Sequence, residues 1–62
     1  MIVIAKLRQD TLESELRRRA ITYKELFVAA DGTIEFEVAE ECRAKIRDWY
    51  ANDDSILYFS SI

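Results

Sequence analysis

ITYKELFVAADGTIEFEVA, residues 21–39, is the stretch on which the fold turns. β-Branched and aromatic residues fill both arms, and the chain's one glycine, Gly32, sits between them. That pattern predicts a β-hairpin. A three-residue loop, Ala30–Asp31–Gly32, would be a type I turn followed by a left-handed residue, a position glycine takes without steric cost. Ala29 then lies opposite Thr33, Val28 beside Ile34 and Leu26 beside Phe36, so four apolar side chains share one face. The other face collects Tyr23, Glu25 and Phe27 against Glu35 and Glu37. A two-residue turn would set Val28 and Leu26 against the two glutamates, so the longer loop is preferred.

Outward from the hairpin, the period changes on both sides. MIVIAKLR, residues 1–8, is aliphatic, with charge entering alternately at Lys6 and Arg8, and predicts a first strand. Asp10 and Glu13 have capping-box spacing, so a helix is expected to open at Asp10. Leu12, Leu16 and Ala20 form its apolar face, and Arg17, Arg18 and Arg19 fall in its last turn, where cations complement the negative helix end. With acids close by, this run reads as a solvated helix end rather than a nucleic-acid site. Beyond Glu40, Cys42, Ile46, Trp49 and Tyr50 recur at helical spacing, and Glu41 and Lys45 stand at i,i+4. ANDD, residues 51–54, ends this helix, and SILYFSSI, residues 55–62, predicts the last strand. The order β-α-β-β-α-β is of the α+β class. It predicts a compact ferredoxin-like fold, a four-stranded antiparallel sheet with two helices on one face. The expected core is Val3, Leu7, Leu12, Leu16, Leu26, Val28, Ile34, Phe36, Ile46 and Trp49.

Sixty-two residues make a single domain, 1–62, near the lower limit for an adequate core. Half the residues are apolar, which sets the chain apart from disordered sequences. Cys42 is alone, so no internal disulfide is available, and a reducing cytoplasm is the expected location. The opening run MIVIAKL is too short to span a membrane and carries no leader pattern, so the chain reads as complete and soluble.

Catalytic chemistry has little to work with. There is no histidine, hence neither the commonest general base nor a Ser-His or Cys-His pair. Cys42 falls on an apolar helix face, as an inert thiol would. No metal-ligand spacing occurs, and one glycine cannot build a phosphate cradle. The reading is a non-enzymatic protein without metal or cofactor.

Two helices cover one side of the sheet and leave the other open. That side is expected to show Ile2, Ile4, Lys6 and Arg8 from the first strand. The last strand adds either Ile56 and Tyr58 or Leu57 and Phe59. Six acids and six bases fall on the helices, so the net charge of −3 lies on strands and loops. Glu25 is expected opposite Glu37, a like-charge pair that destabilises a sheet. Lys6 and Arg8 relieve part of that repulsion. The surplus points to a basic partner, met by Tyr23, Glu25, Phe27, Asp31, Glu35, Glu37, Asp53 and Asp54. An acidic sheet repels phosphates, which argues against direct nucleic-acid binding. An acidic domain of this size without catalytic equipment resembles in kind the phage and mobile-element inhibitors of host systems. The expected function is an inhibitor presenting carboxylates to a basic, nucleic-acid-binding type of surface on a partner protein. The alternative is a homo-oligomeric structural or ligand-sensing module, such as a homodimer, that uses the open sheet face.

Overall fold

Apolar alternation sets the first strand, β1 (Ile2–Ala5): Val3 and Ala5 are fully buried, and Ile2 and Ile4, on the opposite side, are partly so. The structure, a computed structural model, describes residues 1–60; the expected final-strand residues Ser61 and Ile62 lie outside the described residues. Helix α1 (Gln9–Arg18) starts two residues earlier than an N-cap at Asp10 would set it, with extended Arg8 at the N-cap. Asp10 therefore lies inside the first turn and does not cap it. Its carboxylate accepts the Thr11 N–H at 2.8 Å and pairs with Arg8 at 3.1 Å. Negative charge in that turn still suits the helix dipole.

The helix ends at Arg19, and Ala20, expected on its apolar face, adopts φ 58°. The Ile21 N–H donates to the Leu16 carbonyl at 2.9 Å and the Ala20 N–H to that of Arg17 at 3.1 Å, a Schellman closure. Leu16 and Ile21, the two residues such a closure brings together, are both buried.

Strands β2 (Tyr23–Val28) and β3 (Ile34–Val38) form the hairpin. Its loop is the three-residue one: the Ala29 N–H donates to the Thr33 carbonyl at 2.8 Å, and Gly32 has φ +90°. Val28 pairs with Ile34 and Phe27 with Glu35, as the loop dictates. One step further the register departs from strict alternation. Lys24, not Glu25, pairs with Glu37, so Glu25 and Leu26 together oppose Phe36 in a β-bulge. Glu25 takes φ 56° there. The cause lies in the side chains around it. Unbroken pairing that keeps Leu26 inward would turn Tyr23 to solvent and Lys24 towards the core. The bulge reverses both, and Tyr23 meets Phe36 edge-on with ring centroids 6.4 Å apart.

A 3-10 turn (Glu40–Cys42) leads into α2 (Arg43–Asn52), and β4 (Ile56–Ser60) is the last described element. The sheet order is β2-β3-β1-β4, antiparallel throughout, which is the ferredoxin-like arrangement expected. The expected Glu41–Lys45 pair does not form; Lys45 Nζ instead donates to the Ala20 carbonyl at 3.0 Å and ties the two helices together. β4 is also bulged. Tyr58 pairs with Ile4 while Ile56 pairs with Ala5, so Leu57 is the extra residue. Neither expected alternation on this strand holds over its length: Ile56 is buried, Tyr58 is exposed and Phe59 packs on the core side.

Val3, Leu12, Leu16, Ile34, Phe36, Ile46 and Trp49 are buried as expected, and Leu7 and Leu26 pack partly against them. Val28 is a correction. It is 55% exposed, at the hairpin end of the edge strand, where only Ile34 flanks it in the sheet. Met1, Ala5, Ile21, Val38, Cys42 and Ile56 join the core. Trp49 is fully buried with the Arg19 guanidinium 4.7 Å above its ring. Its Nε1–H makes no formed hydrogen bond among the described residues. It gives the Asp53 carboxyl only a minor pull, behind that of Ser55, so packing is what holds the ring.

Four carboxyls are held below their ordinary range by local contacts. Arg18 lowers Glu15 and Arg43 lowers Glu40, Thr33 lowers Asp31, and Ser55 lowers Asp53. A folded-state value below the unfolded one stabilises the protein above the ordinary carboxylate range, and this is lost as pH falls through the folded value. Urea midpoints are therefore expected to be flat from neutral pH down to about 5 and to fall below about 4. Asp31→Asn with Asp53→Asn should flatten that acid limb. An unchanged limb in the double variant would show that these loop carboxylates do not set it.

Candidate protein-binding face

The side of the sheet away from the helices is built from two rows of cross-strand neighbours. Phe27, Glu35, Ile4 and Tyr58 form one row, contributed in turn by β2, β3, β1 and β4. Lys24, Glu37 and Ile2 form the next. Phe27 is 62% exposed and Tyr58 56%, and Ile2 and Ile4 are only partly covered. The face is thus an apolar strip with two carboxylates in its middle strand.

Of the residues expected to meet a partner, the sheet gathers three on this face: Phe27, Glu35 and Glu37. Tyr23 is on the helix side, where its hydroxyl donates to Glu13 at 3.3 Å. Burial there raises its phenol above the ordinary value, and the Glu13 carboxylate adds to the shift. Glu25 is exposed at the β2 bulge, not opposite Glu37. Asp31 is in the hairpin loop, bonded to the Thr33 N–H and hydroxyl at 3.0 and 2.7 Å. Asp53 plays the same part after α2, accepting from the Ser55 N–H and hydroxyl at 3.0 and 2.9 Å. Asp54 is exposed in the adjoining turn.

The register also corrects the expected charge relief. Ile4 and Ile2, not Lys6 and Arg8, lie beside Glu35 and Glu37 on β1. Lys24 lies beside Glu37 on β2 and removes the like-charge pair expected with Glu25. Lys6 follows the end of β1 and acts on Asp31, while Arg8 pairs with Asp10. The face therefore holds Glu35 and Glu37 against Lys24, and that cation comes from β2 instead of β1.

The carboxylates differ in what holds them. Glu13, Glu15, Glu40, Asp10, Asp31, Asp48 and Asp53 each accept hydrogen bonds within the chain. Among the described residues Glu35 and Glu37 have neither an ion pair nor a side-chain hydrogen bond. Sequence reasoning missed Tyr58 as a definite member of this face, because only the β4 bulge fixes its direction. Among the described residues no cluster of three or more potential metal ligands occurs, and no helix is long and apolar enough to cross a membrane. No family model matches the chain, and neither curated proteins nor solved structures give a significant match.

Proposed function

We propose that the chain is a non-enzymatic protein-binding module whose open sheet face covers a surface carrying Lys or Arg on a partner, as an inhibitor of a nucleic-acid-binding protein would. One observation carries this reading. Among the described residues Glu35 and Glu37 make no ion pair, and they stand beside exposed or partly exposed Phe27, Ile4, Ile2 and Tyr58. The apolar side chains supply burial, and the carboxylates select cations and fix orientation. Apolar side chains beside the two carboxylates call for a partner surface that mixes apolar and basic groups, not one that is only basic.

The test is a pull-down from cell lysate with the wild-type chain, Glu35→Lys/Glu37→Lys and Asp53→Lys/Asp54→Lys. A partner retained by the wild type should be released at about 0.5 M salt, where screening extends only a few ångströms. The sheet-face reversal should lose it and remain folded, and the Asp53/Asp54 reversal should keep it. If the sheet-face variant folds and binds unchanged, the face is not the site. If it unfolds, Glu37 is structural through Lys24.

A further inference from the structure

We propose that β4 is a dimerisation edge, pairing antiparallel with β4 of a second copy to make one continuous eight-stranded sheet. The sheet has two free edges, β2 and β4, and they differ in kind. β2 carries Lys24 and Glu25 and is broken by a bulge at φ 56°. Charge and bulges of this sort discourage edge-to-edge pairing. β4 reads ILYFS over Ile56–Ser60, with no charged residue. Its own bulge is confined to Leu57, and Tyr58, Phe59 and Ser60 pair regularly with Ile4, Val3 and Ile2. Their outward-pointing backbone groups meet no further strand of the sheet.

The side chains around this edge are apolar as well. Leu57 is 49% exposed and Tyr50 of α2 50%; with Tyr58 and Phe59 they line a shallow cleft of about 270 Å³. The Tyr50 and Phe59 rings meet edge-on at 5.5 Å and hold one wall. These features select a second copy over a charged partner. An identical strand laid antiparallel supplies a matching ladder of donors and acceptors, places no charge against the cleft, and closes by twofold symmetry. A charged strand would lose hydration against apolar walls. A twofold axis normal to the sheet also leaves both open faces on the same side.

The strip offers the β4 strand and Tyr50, far fewer than the roughly 20–30 residues a side of a standard interface, so the dimer is weak and concentration-dependent. Sedimentation velocity up to about 1 mM, a range suited to such an interface, should show the 7.3 kDa chain moving towards twice its mass. Leu57→Lys, at an exposed bulge position, should weaken dimerisation by at least about tenfold through the buried ammonium. Val28→Lys, on the β2 edge, should leave it unchanged. A wild type that stays monomeric overturns the proposal, and so does loss of the dimer in the Val28 variant alone. Should Leu57→Lys fail to fold, amide exchange of the wild type decides. Those β4 amides that point away from β1 must gain protection as concentration rises, and a flat profile overturns the proposal. None of these readouts depends on the partner sought with Glu35→Lys/Glu37→Lys, so the two readings fail separately.

Discussion

Phe36→Ala is expected to remove half or more of the chain's stability at 25 °C. Phe36 is fully buried in β3, which lies between β1 and β2, and Tyr23 packs edge-on against its ring. Truncating a buried phenylalanine costs about 3–5 kcal/mol, from lost transfer energy and the cavity left behind. A domain of 62 residues has a total stability of only about 3–9 kcal/mol. The cavity would also undo the reason for the β2 bulge, since Tyr23 turns inward to meet this ring. Trp49, the chain's one tryptophan, is fully buried, so its emission reports unfolding directly. The variant's emission should shift to the red at far lower urea than the wild type's, while Phe36→Leu, which keeps most of the volume, should show a smaller drop in the urea midpoint. Native-like emission and an unchanged midpoint for Phe36→Ala would mean that the core does not depend on this side chain.

The hairpin shows how far sequence reaches in a domain of this size. Gly32 specified its loop, and the loop fixed the pairs nearest it, Val28 with Ile34 and Phe27 with Glu35. Two residues further the register passed out of local control. Alternation alone placed Tyr23 on the open face, but the core gains more from a large aromatic ring than strict pairing is worth, and Glu25 absorbs the difference. The β4 strand repeats the lesson at Leu57. Both bulges follow from which side chains the finished core can accept, a property of the whole fold and not of either strand. The candidate site inherits this limit. Phe27, Glu35 and Glu37 were legible because the loop governs their register. Tyr23, Glu25 and Tyr58 were not, because a bulge intervenes. Asp31 and Asp53 counted as free charge in the sequence, yet each closes a turn through a hydroxyl two residues on, Thr33 and Ser55. Dispersal of the expected acidic patch thus leaves Glu35 and Glu37 as the carboxylates on the open sheet face.

Ala20→Gly combined with Glu25→Gly is expected to make the protein more stable, by about 2 kcal/mol in all, with each site contributing about half. Both residues sit in the left-handed region, at φ 58° and 56°, where a Cβ crowds the following carbonyl. That costs an ordinary residue about 1–2 kcal/mol, and glycine avoids it while giving back part of the gain as greater freedom of the unfolded chain. Neither side chain opposes the change. Ala20 is exposed, and its role in closing α1 runs through its N–H and the carbonyl that Lys45 reaches. Glu25 is exposed and forms no ion pair among the described residues. The sites share no partner, so their effects should add. In a domain of this size, 1 kcal/mol corresponds to about 4–8 °C in Tm, so the double variant should melt roughly 8–16 °C higher. Ala20→Val supplies the opposite sign, since a β-branched side chain fits the left-handed region worse than alanine. If Ala20→Gly lowers Tm, or Ala20→Val leaves it unchanged, α1 does not end in the left-handed closure. If Glu25→Gly alone lowers Tm, the bulge is not at Glu25, and Tyr23 is not held inward by it.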